Sequence, residues 1–317
     1  MIKLTIIIPH YNRPTLLRKL LNTIPNQPEI EVIVIDDNSN KEIKPYEDLV
    51  RDFSISNVNF KKNNSGIKGA GSSRNIGIDS ASGEWLMFAD SDDYFVDGFY
   101  EIVKKFFNIG VEVVYFRVSS VNLITNLEGN RHKKRQKKLI DFESKLDRNG
   151  LRLKYLMESS VGNLYNTMYL KSHHIRFDEV LSGEDKNFTS KASYYCQNFL
   201  TSMDNIYIVT EGSDNITMNK TLPVIFSGLE MDINKIEFLR SKLPSEDFVY
   251  LQLTIRHHLM DLFKYHGILV TLKTIYSLQK RKIKWFEWKF INPFFMLKRF
   301  SYHNKKFKKD KPRVFTD

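Results

Sequence analysis

Asp90-Ser91-Asp92-Asp93 sets three carboxylates almost in a row, directly after the apolar residues 85–89. Carboxylate oxygens suit hard divalent cations such as Mg2+ and Mn2+, which keep open positions for phosphate. On an extended segment residues i and i+2 point the same way. Asp90 and Asp92 are therefore expected to act together, one of them on a ribose or a metal and the other on a metal bridging two phosphates. Asp93 is expected to point elsewhere or to cap the next helix. The competing reading is a plain acidic turn after a strand, so context beyond these residues has to decide.

Two more acidic clusters follow a similar pattern. Asp36-Asp37 comes straight after the apolar residues 31–35, and Gly183-Glu184-Asp185 precedes a helical stretch. Arg74 stands near a helix start beside Gly66, Gly69 and Gly71, where a cation could meet phosphate or simply brace the loop. The Gly-x-x-Gly-x-Gly order of residues 66–71 reverses the dinucleotide fingerprint, which argues against a Rossmann dehydrogenase.

These residues need elements to position them. Residues 3–8 read as a buried strand ended by Pro9, and Tyr11-Asn12-Arg13-Pro14 opens a helix through Leu16, Leu17, Leu20 and Leu21. With a second strand at 31–35 this makes a βαβ unit. A third strand at 58–60, a helix at 74–81 capped by Gly83 and a fourth strand at 85–89 follow. Beyond them come a helix at 99–107, a strand at 111–118 and an exposed polar loop or hairpin at 126–138. A helix and an extended stretch within 151–171, a helix at 185–195 and strand character at 206–209 complete the pattern. The expected fold is α/β, a mostly parallel twisted sheet flanked by helices, with its first two acidic clusters at strand ends, where open sheets place their ligands. From about residue 222 amphipathic helices replace the βαβ signal, which predicts an α/β domain over 1–220 and a helical region over 221–317.

The chain has 317 residues and a single cysteine, Cys196, so no intrachain disulfide and no cysteine-based zinc site can form. No apolar run approaches the roughly 20 residues of a membrane span. The start of the sequence lacks a signal peptide's features, and a cytoplasmic location is expected. Net charge is +11, and residues 280–313 hold thirteen Lys and Arg against Glu287 and Asp310, enough to account for all of it. A near-neutral body argues against nucleic-acid binding. The basic tail, interleaved with Trp285, Phe286, Trp288, Phe290, Phe294 and Phe295, suits the headgroup layer of an anionic membrane. An amphipathic helix packed on the body is the alternative.

The segments IIIPHYNR, VIVIDDNSN, GSSRNIGID, GEWLMFADSDD and FDEVLSGEDKNF occur in this order over about the first 200 residues. Together they resemble glycosyltransferase family 2, whose members have the nucleotide-sugar-binding GT-A fold. The resemblance implies that Pro9, Tyr11 and Asn12 line the nucleoside and that Asp37 hydrogen-bonds uracil. An aspartate can accept from the imide N–H of that ring. Asp36 is then structural. Arg74 falls at the family's Ala-Arg-Asn position, although Ser72-Ser73 replaces the usual small apolar residues. Asp185 becomes the general base of an inverting transfer, with Glu184 as runner-up.

The implied activity is a Mn2+- or Mg2+-dependent transfer of one sugar from a UDP-sugar to a hydroxyl of a surface glycan or lipid-linked oligosaccharide. A nucleotidyltransferase, which also uses paired carboxylates, and a non-catalytic glycan- or nucleotide-binding membrane scaffold are the alternatives.

Overall fold

The computed structural model describes residues 1–40, 45–54, 56–212 and 219–285. In chain order the first elements are β1 (Leu4–His10), α1 (Pro14–Asn22), β2 (Ile30–Asp36), α2 (Pro45–Asp52), β3 (Val58–Lys62), α3 (Ala70–Ser80) and β4 (Trp85–Phe88). They are followed by β5 (Tyr94–Phe95), α4 (Phe99–Lys104), β6 (Val113–Asn122), α5 (Lys133–Glu143), α6 (Leu151–Leu156), β7 (Asn163–Asn166), α7 (Thr167–Ser172), α8 (Asp185–Tyr195) and β8 (Phe199–Glu211). The helices α9 (Leu222–Lys242), α10 (Ser245–Leu251), α11 (Arg256–His266) and α12 (Ile268–Lys280) come last. Two compact units result, residues 1–253 and 254–317.

The first unit holds one sheet in the order β3-β2-β1-β4-β7-β6-β8-β5. The four strands β3, β2, β1 and β4 run parallel, while β7 turns antiparallel between β4 and β6. Both faces are covered, which is why these strands read as unbroken apolar runs. Alternation sends Leu4, Ile6, Ile8, Val32, Val34, Trp85 and Met87 to one core. Ile7, Ile33, Ile35, Leu86 and Phe88 enter the core on the other face. Pairing sets His10 beside Asp36 and Asp36 beside Lys62, so the ends of β1, β2 and β3 are level.

Pro14 at the start of α1 fits a first turn whose N–H groups have no helical partner, and Leu17, Leu20 and Leu21 form its buried stripe. Three local expectations change. Helix α3 begins at Ala70, so the end of the glycine loop is its first turn. Gly83 does not cap it: a Cβ there would lie 2.7 Å from the Thr5 nitrogen, so the residue permits close approach to β1. Within 126–138, expected as an exposed loop or hairpin, residues from 133 on belong to α5 because Arg135 is buried and donates to Phe116 O (3.0 Å), Val161 O (3.1 Å) and Asn163 Oδ1 (2.6 Å). That tertiary anchoring overrides a polar local pattern.

The change of pattern at residue 222 is a change of secondary structure rather than the edge of a compact unit. Helix α9 packs against α8, and its Leu239 joins Leu151, Tyr155 and Leu251 in a small core, which draws α9 and α10 into the first unit. In the basic, aromatic stretch expected to meet a membrane, everything from residue 286 onward lies outside the described residues.

Candidate active site

Strand β4 ends at Phe88, and Asp90 to Asp93 form a tight turn closed by a hydrogen bond from the Asp93 N–H to the Asp90 carbonyl (3.0 Å). The extended geometry expected for Asp90 and Asp92 is therefore replaced, because the chain reverses here to make β5. The two side chains are held by different arginines. Arg74 Nη2 donates to Asp90 Oδ1 (2.7 Å), and Arg13 Nη1 to Asp92 Oδ2 (2.7 Å). Asp93 is no helix cap. It is buried and accepts the Thr210 N–H (2.7 Å), while the Thr210 hydroxyl donates to the Asp92 carbonyl (2.9 Å). The Asp90 N–H donates to the Tyr207 hydroxyl (2.8 Å). Strand β8 thus holds the whole turn from beneath.

Charge is concentrated there. Burial, then the neighbouring Asp90 carboxylate, raises Asp92 above the usual carboxylate range, with Arg13 offsetting part of the effect. Burial together with Asp90 and Asp92 pushes Asp93 well up.

Arg74 is the hub. Only 3% of its side chain is exposed, and it is neither a surface brace nor an open cation. Its Nη1 donates to Glu184 Oε1 (2.9 Å) and stands 3.6 Å from Asp185 Oδ1, while its Nη2 holds Asp90. Burial opposes its charge, but Asp185, Asp90 and Glu184 outweigh that and keep the guanidinium protonated. A cation so enclosed cannot also reach far into solvent; its geometry suits positioning. Gly71 allows this arrangement, since a Cβ there would lie 2.2 Å from the Asp178 carbonyl oxygen. The first turn of α3 can therefore press against the segment leading to Glu184 and Asp185.

Asp185 is the first residue of α8, three-quarters buried, and its Oδ1 accepts no hydrogen bond among the described residues. Burial pushes its carboxyl up to about 7 from the usual 3.8, against the attraction of Arg74 and with a further push from Glu184 and Asp90. A carboxyl in this range exchanges protons near neutral pH.

At the ends of β1 and β2 the aspartate pair divides. Burial raises Asp36, but hydrogen bonds from His10 (3.2 Å) and Ser39 outweigh it and leave the carboxyl lowered, a structural tie between two loops. Asp37 is buried, accepts from Asn63 Nδ2 (2.6 Å) and donates its N–H to the His10 carbonyl (2.7 Å). Asn63 itself extends from the end of β3. Pro9 lies within β1, and Asn12 takes a left-handed φ of 55° with its amide oxygen accepting from the Asn40 N–H (2.8 Å). Tyr11 is exposed, with Lys68 Nζ 3.7 Å from its ring centroid.

Arg74, Asp90, Glu184 and Asp185 are thus one contact network, and Asp92 joins it through the turn. Asp37, Asn12 and Tyr11 form a second group at the level ends of β1 and β2. Arg13, Asn63, Tyr207 and Thr210 were not singled out from the sequence. Arg13 had a signal, its place in the PHYNR segment, whereas Tyr207 and Thr210 lie more than a hundred residues from the turn they support.

The family model described as glycosyl transferase family 2 matches residues 5–173, a span that includes Asp37, Arg74, Asp90 and Asp92 and stops before Asp185. The GalNAc(5)-diNAcBac-PP-undecaprenol beta-1,3-glucosyltransferase of Campylobacter jejuni is 29% identical over 202 residues, 61% of this chain and 62% of that protein. The poly(ribitol-phosphate) beta-N-acetylglucosaminyltransferase TarS of Staphylococcus aureus is 30% identical over 197 residues, 61% of this chain and 32% of that protein. The chain therefore matches less than two thirds of the length of either relative. The crystal structure of S. aureus TarS 1-349 in complex with UDP-GlcNAc superposes with a TM-score of 0.63 at 22% identity, over 83% of this chain and 73% of that one. That likeness establishes the GT-A fold.

Proposed function

This chain belongs to glycosyl transferase family 2, and on that premise we propose that it is an inverting transferase moving one sugar from a UDP-sugar to a hydroxyl of a surface glycan or lipid-linked acceptor. The observation that carries the proposal is the placement of Asp185. An unbonded carboxylate oxygen, poised near neutral pH, stands 3.6 Å from the guanidinium that also fixes Asp90. One rigid group thereby sets the distance between the base and the diphosphate side of the site. The names of the relatives, a glucosyltransferase with an undecaprenol-linked acceptor and an N-acetylglucosaminyltransferase solved with UDP-GlcNAc, support the substrate class.

Asp185 takes the proton of the acceptor hydroxyl as that oxygen attacks the anomeric carbon opposite the leaving diphosphate. Arg74 positions Asp185 and keeps Glu184 from drifting into its place. Asp37 receives uracil, its plane fixed by Asn63, and Tyr11 and Asn12 border the nucleoside. The donor set fits a hard divalent cation: it offers carboxylate oxygens alone, and a cation would relieve both the burial of charge and the repulsion between neighbouring carboxylates that raise Asp92 and Asp93. Asp92 and Asp90 would hold that ion, Mn2+ or Mg2+, which when bound stabilises charge on the departing diphosphate. The basic tail over 280–313 is assigned to an anionic membrane surface, in keeping with a lipid-linked acceptor. No helix among the described residues is long and apolar enough to cross a membrane.

The direct test is a panel of UDP-sugars incubated with Mn2+ and assayed for UDP. Release of UDP, suppressed in Asp92→Ala, is the expected result. Sugar 1-phosphate in place of UDP, or pyrophosphate when a nucleoside triphosphate and a sugar 1-phosphate are supplied instead, would replace the reading with nucleotidyl transfer, and binding without turnover of any donor would replace it with a scaffold.

A further inference from the structure

The last described helix is amphipathic in the wrong sense for a helix whose apolar side faces a protein core. Helix α12 buries Thr271, Thr274 and Leu278, and the two threonine hydroxyls donate back to the Gly267 and Val270 carbonyls (2.9 Å each). It exposes Ile268 (52%), Leu269 (72%), Leu272 (53%) and Tyr276 (61%). At about 100° per residue these four fall within an arc of about 100°, and Lys273 and Lys280 lie just beyond its edge. Helix α11 adds exposed Met260 and Phe263, one turn apart and so on one face. Scattered exposed apolar residues are ordinary, but a contiguous set marks an interaction site.

Charge identifies the partner. Residues 254–285 carry seven Lys and Arg against one acid, Asp261. Lys264, Lys273, Lys280, Lys282 and Lys284 are exposed. The Lys280 ammonium sits 4.5 Å from the Tyr276 ring centroid, its stem lying along the apolar ridge as an interfacial lysine does. A second copy meeting this face across a two-fold axis would set the same cations against one another. The chain's own residues 286–317 are strongly basic as well and repel it for the same reason. The apolar side chains project from one helix as a ridge, whereas peptide partners are captured in grooves. A ridge of aliphatic and aromatic side chains flanked by lysines matches the boundary between headgroups and acyl chains of an anionic bilayer.

We infer that the outer face of α12 is a docking surface for anionic lipid membranes, to which the exposed Met260 and Phe263 of the neighbouring α11 would add. The inference deepens the membrane contact proposed above by giving it a structured element in addition to the tail, and it does not depend on the sugar-transfer chemistry.

The test uses the full chain in sedimentation with vesicles of phosphatidylcholine alone and with about a third phosphatidylglycerol, at low and high salt. Leu269→Gln/Leu272→Gln and Lys273→Glu/Lys280→Glu are compared with the parent, after circular dichroism shows each folded. Expected are binding to the anionic vesicles alone, a loss of at least tenfold in both variants, and unchanged metal-dependent hydrolysis of soluble UDP-sugar. Failure of the parent to sediment with anionic vesicles overturns the proposal, as does parental binding by both variants. If the parent self-associates and the leucine variant does not, the face belongs to a second copy and the proposal falls. If it is instead protected by an acidic peptide but not by lipid, the partner is a protein and the proposal also falls. Absence of hydrolysis in every protein, with lipid binding intact, would count only against the transferase reading.

Discussion

Replacing Asp185 with Asn should remove catalysis and at the same time stabilise the fold, in a manner that depends on pH. The unfolded chain ionises this carboxyl near 3.8 and the folded protein near 7. Between those values the folded state holds a proton that the unfolded state has released, so stability falls as pH rises through the window and the full cost is reached above about pH 7. Each unit corresponds to about 1.4 kcal/mol, which sets a ceiling of about 4 kcal/mol for the roughly three-unit gap. Water entry and relaxation around the three-quarters-buried side chain reduce this, and a gain of about 1–3 kcal/mol is expected for Asn at pH 8. For a protein of this size that raises Tm by roughly 2–10 °C. Denaturation without metal or donor, from pH 4 to 8, should show the two proteins equal at the acid end and diverging upward. Transfer should fall by about 10²-fold or more in the same variant, and the parental rate should rise through pH ~7 as the base is freed. A stability difference that is flat with pH, or an Asn variant less stable at pH 8, would mean that Arg74 fully satisfies the carboxylate and that Asp185 is a structural partner.

Asp92→Ala should abolish Mn2+-dependent UDP binding measured by calorimetry; metal-dependent affinity that survives would remove Asp92 from the ion site. Arg74→Met leaves Asp90, Glu184 and Asp185 without their shared cation, and should cost about 3–5 kcal/mol by denaturation, with Arg74→Lys in between. In whichever of these retains turnover, the acid limb of the rate profile should move to higher pH, because Arg74 is what draws Asp185 down. Arg13→Gln should weaken binding of UDP more than that of uridine, measured side by side; an equal loss for both would confine Arg13 to holding the turn.

How far the sequence reveals this molecule depends on the range over which each signal acts. Burial on both faces leaves an unbroken apolar run, so β1, β2 and β4 were legible from five or six residues each, and Pro14 marked the start of α1. Arg135 shows the opposite case. In a stretch with six Lys and Arg nothing local distinguishes the one that enters the core, yet four carbonyl and amide acceptors, on Phe116, Val161, Gly162 and Asn163, make α5 a packed helix. The boundary near 220 misled for a similar reason: pattern records secondary structure, while membership of a compact unit is decided by contacts such as Leu239 with Leu151 and Tyr155.

The acidic turn shows why residue types were easier to read than their division of labour. Three aspartates announced a charged site, but whether Asp90 and Asp92 face the same way depended on Tyr207 and Thr210, which meet the turn only after β8 has been laid into the sheet. Once it is in place the two carboxylates answer to unlike arginines. Arg74 is 3% exposed and tied on two sides, so it can fix Asp90 and Asp185 but has little room to move. Arg13 is 34% exposed and donates to Asp92 at 2.7 Å, so on the proposed reading an arriving cation would take the carboxylate while the guanidinium turns to the phosphates. On that reading exchange would be confined to the Asp92 side of the turn, and the spacing between the proposed leaving group and base would stay set by the side that cannot exchange.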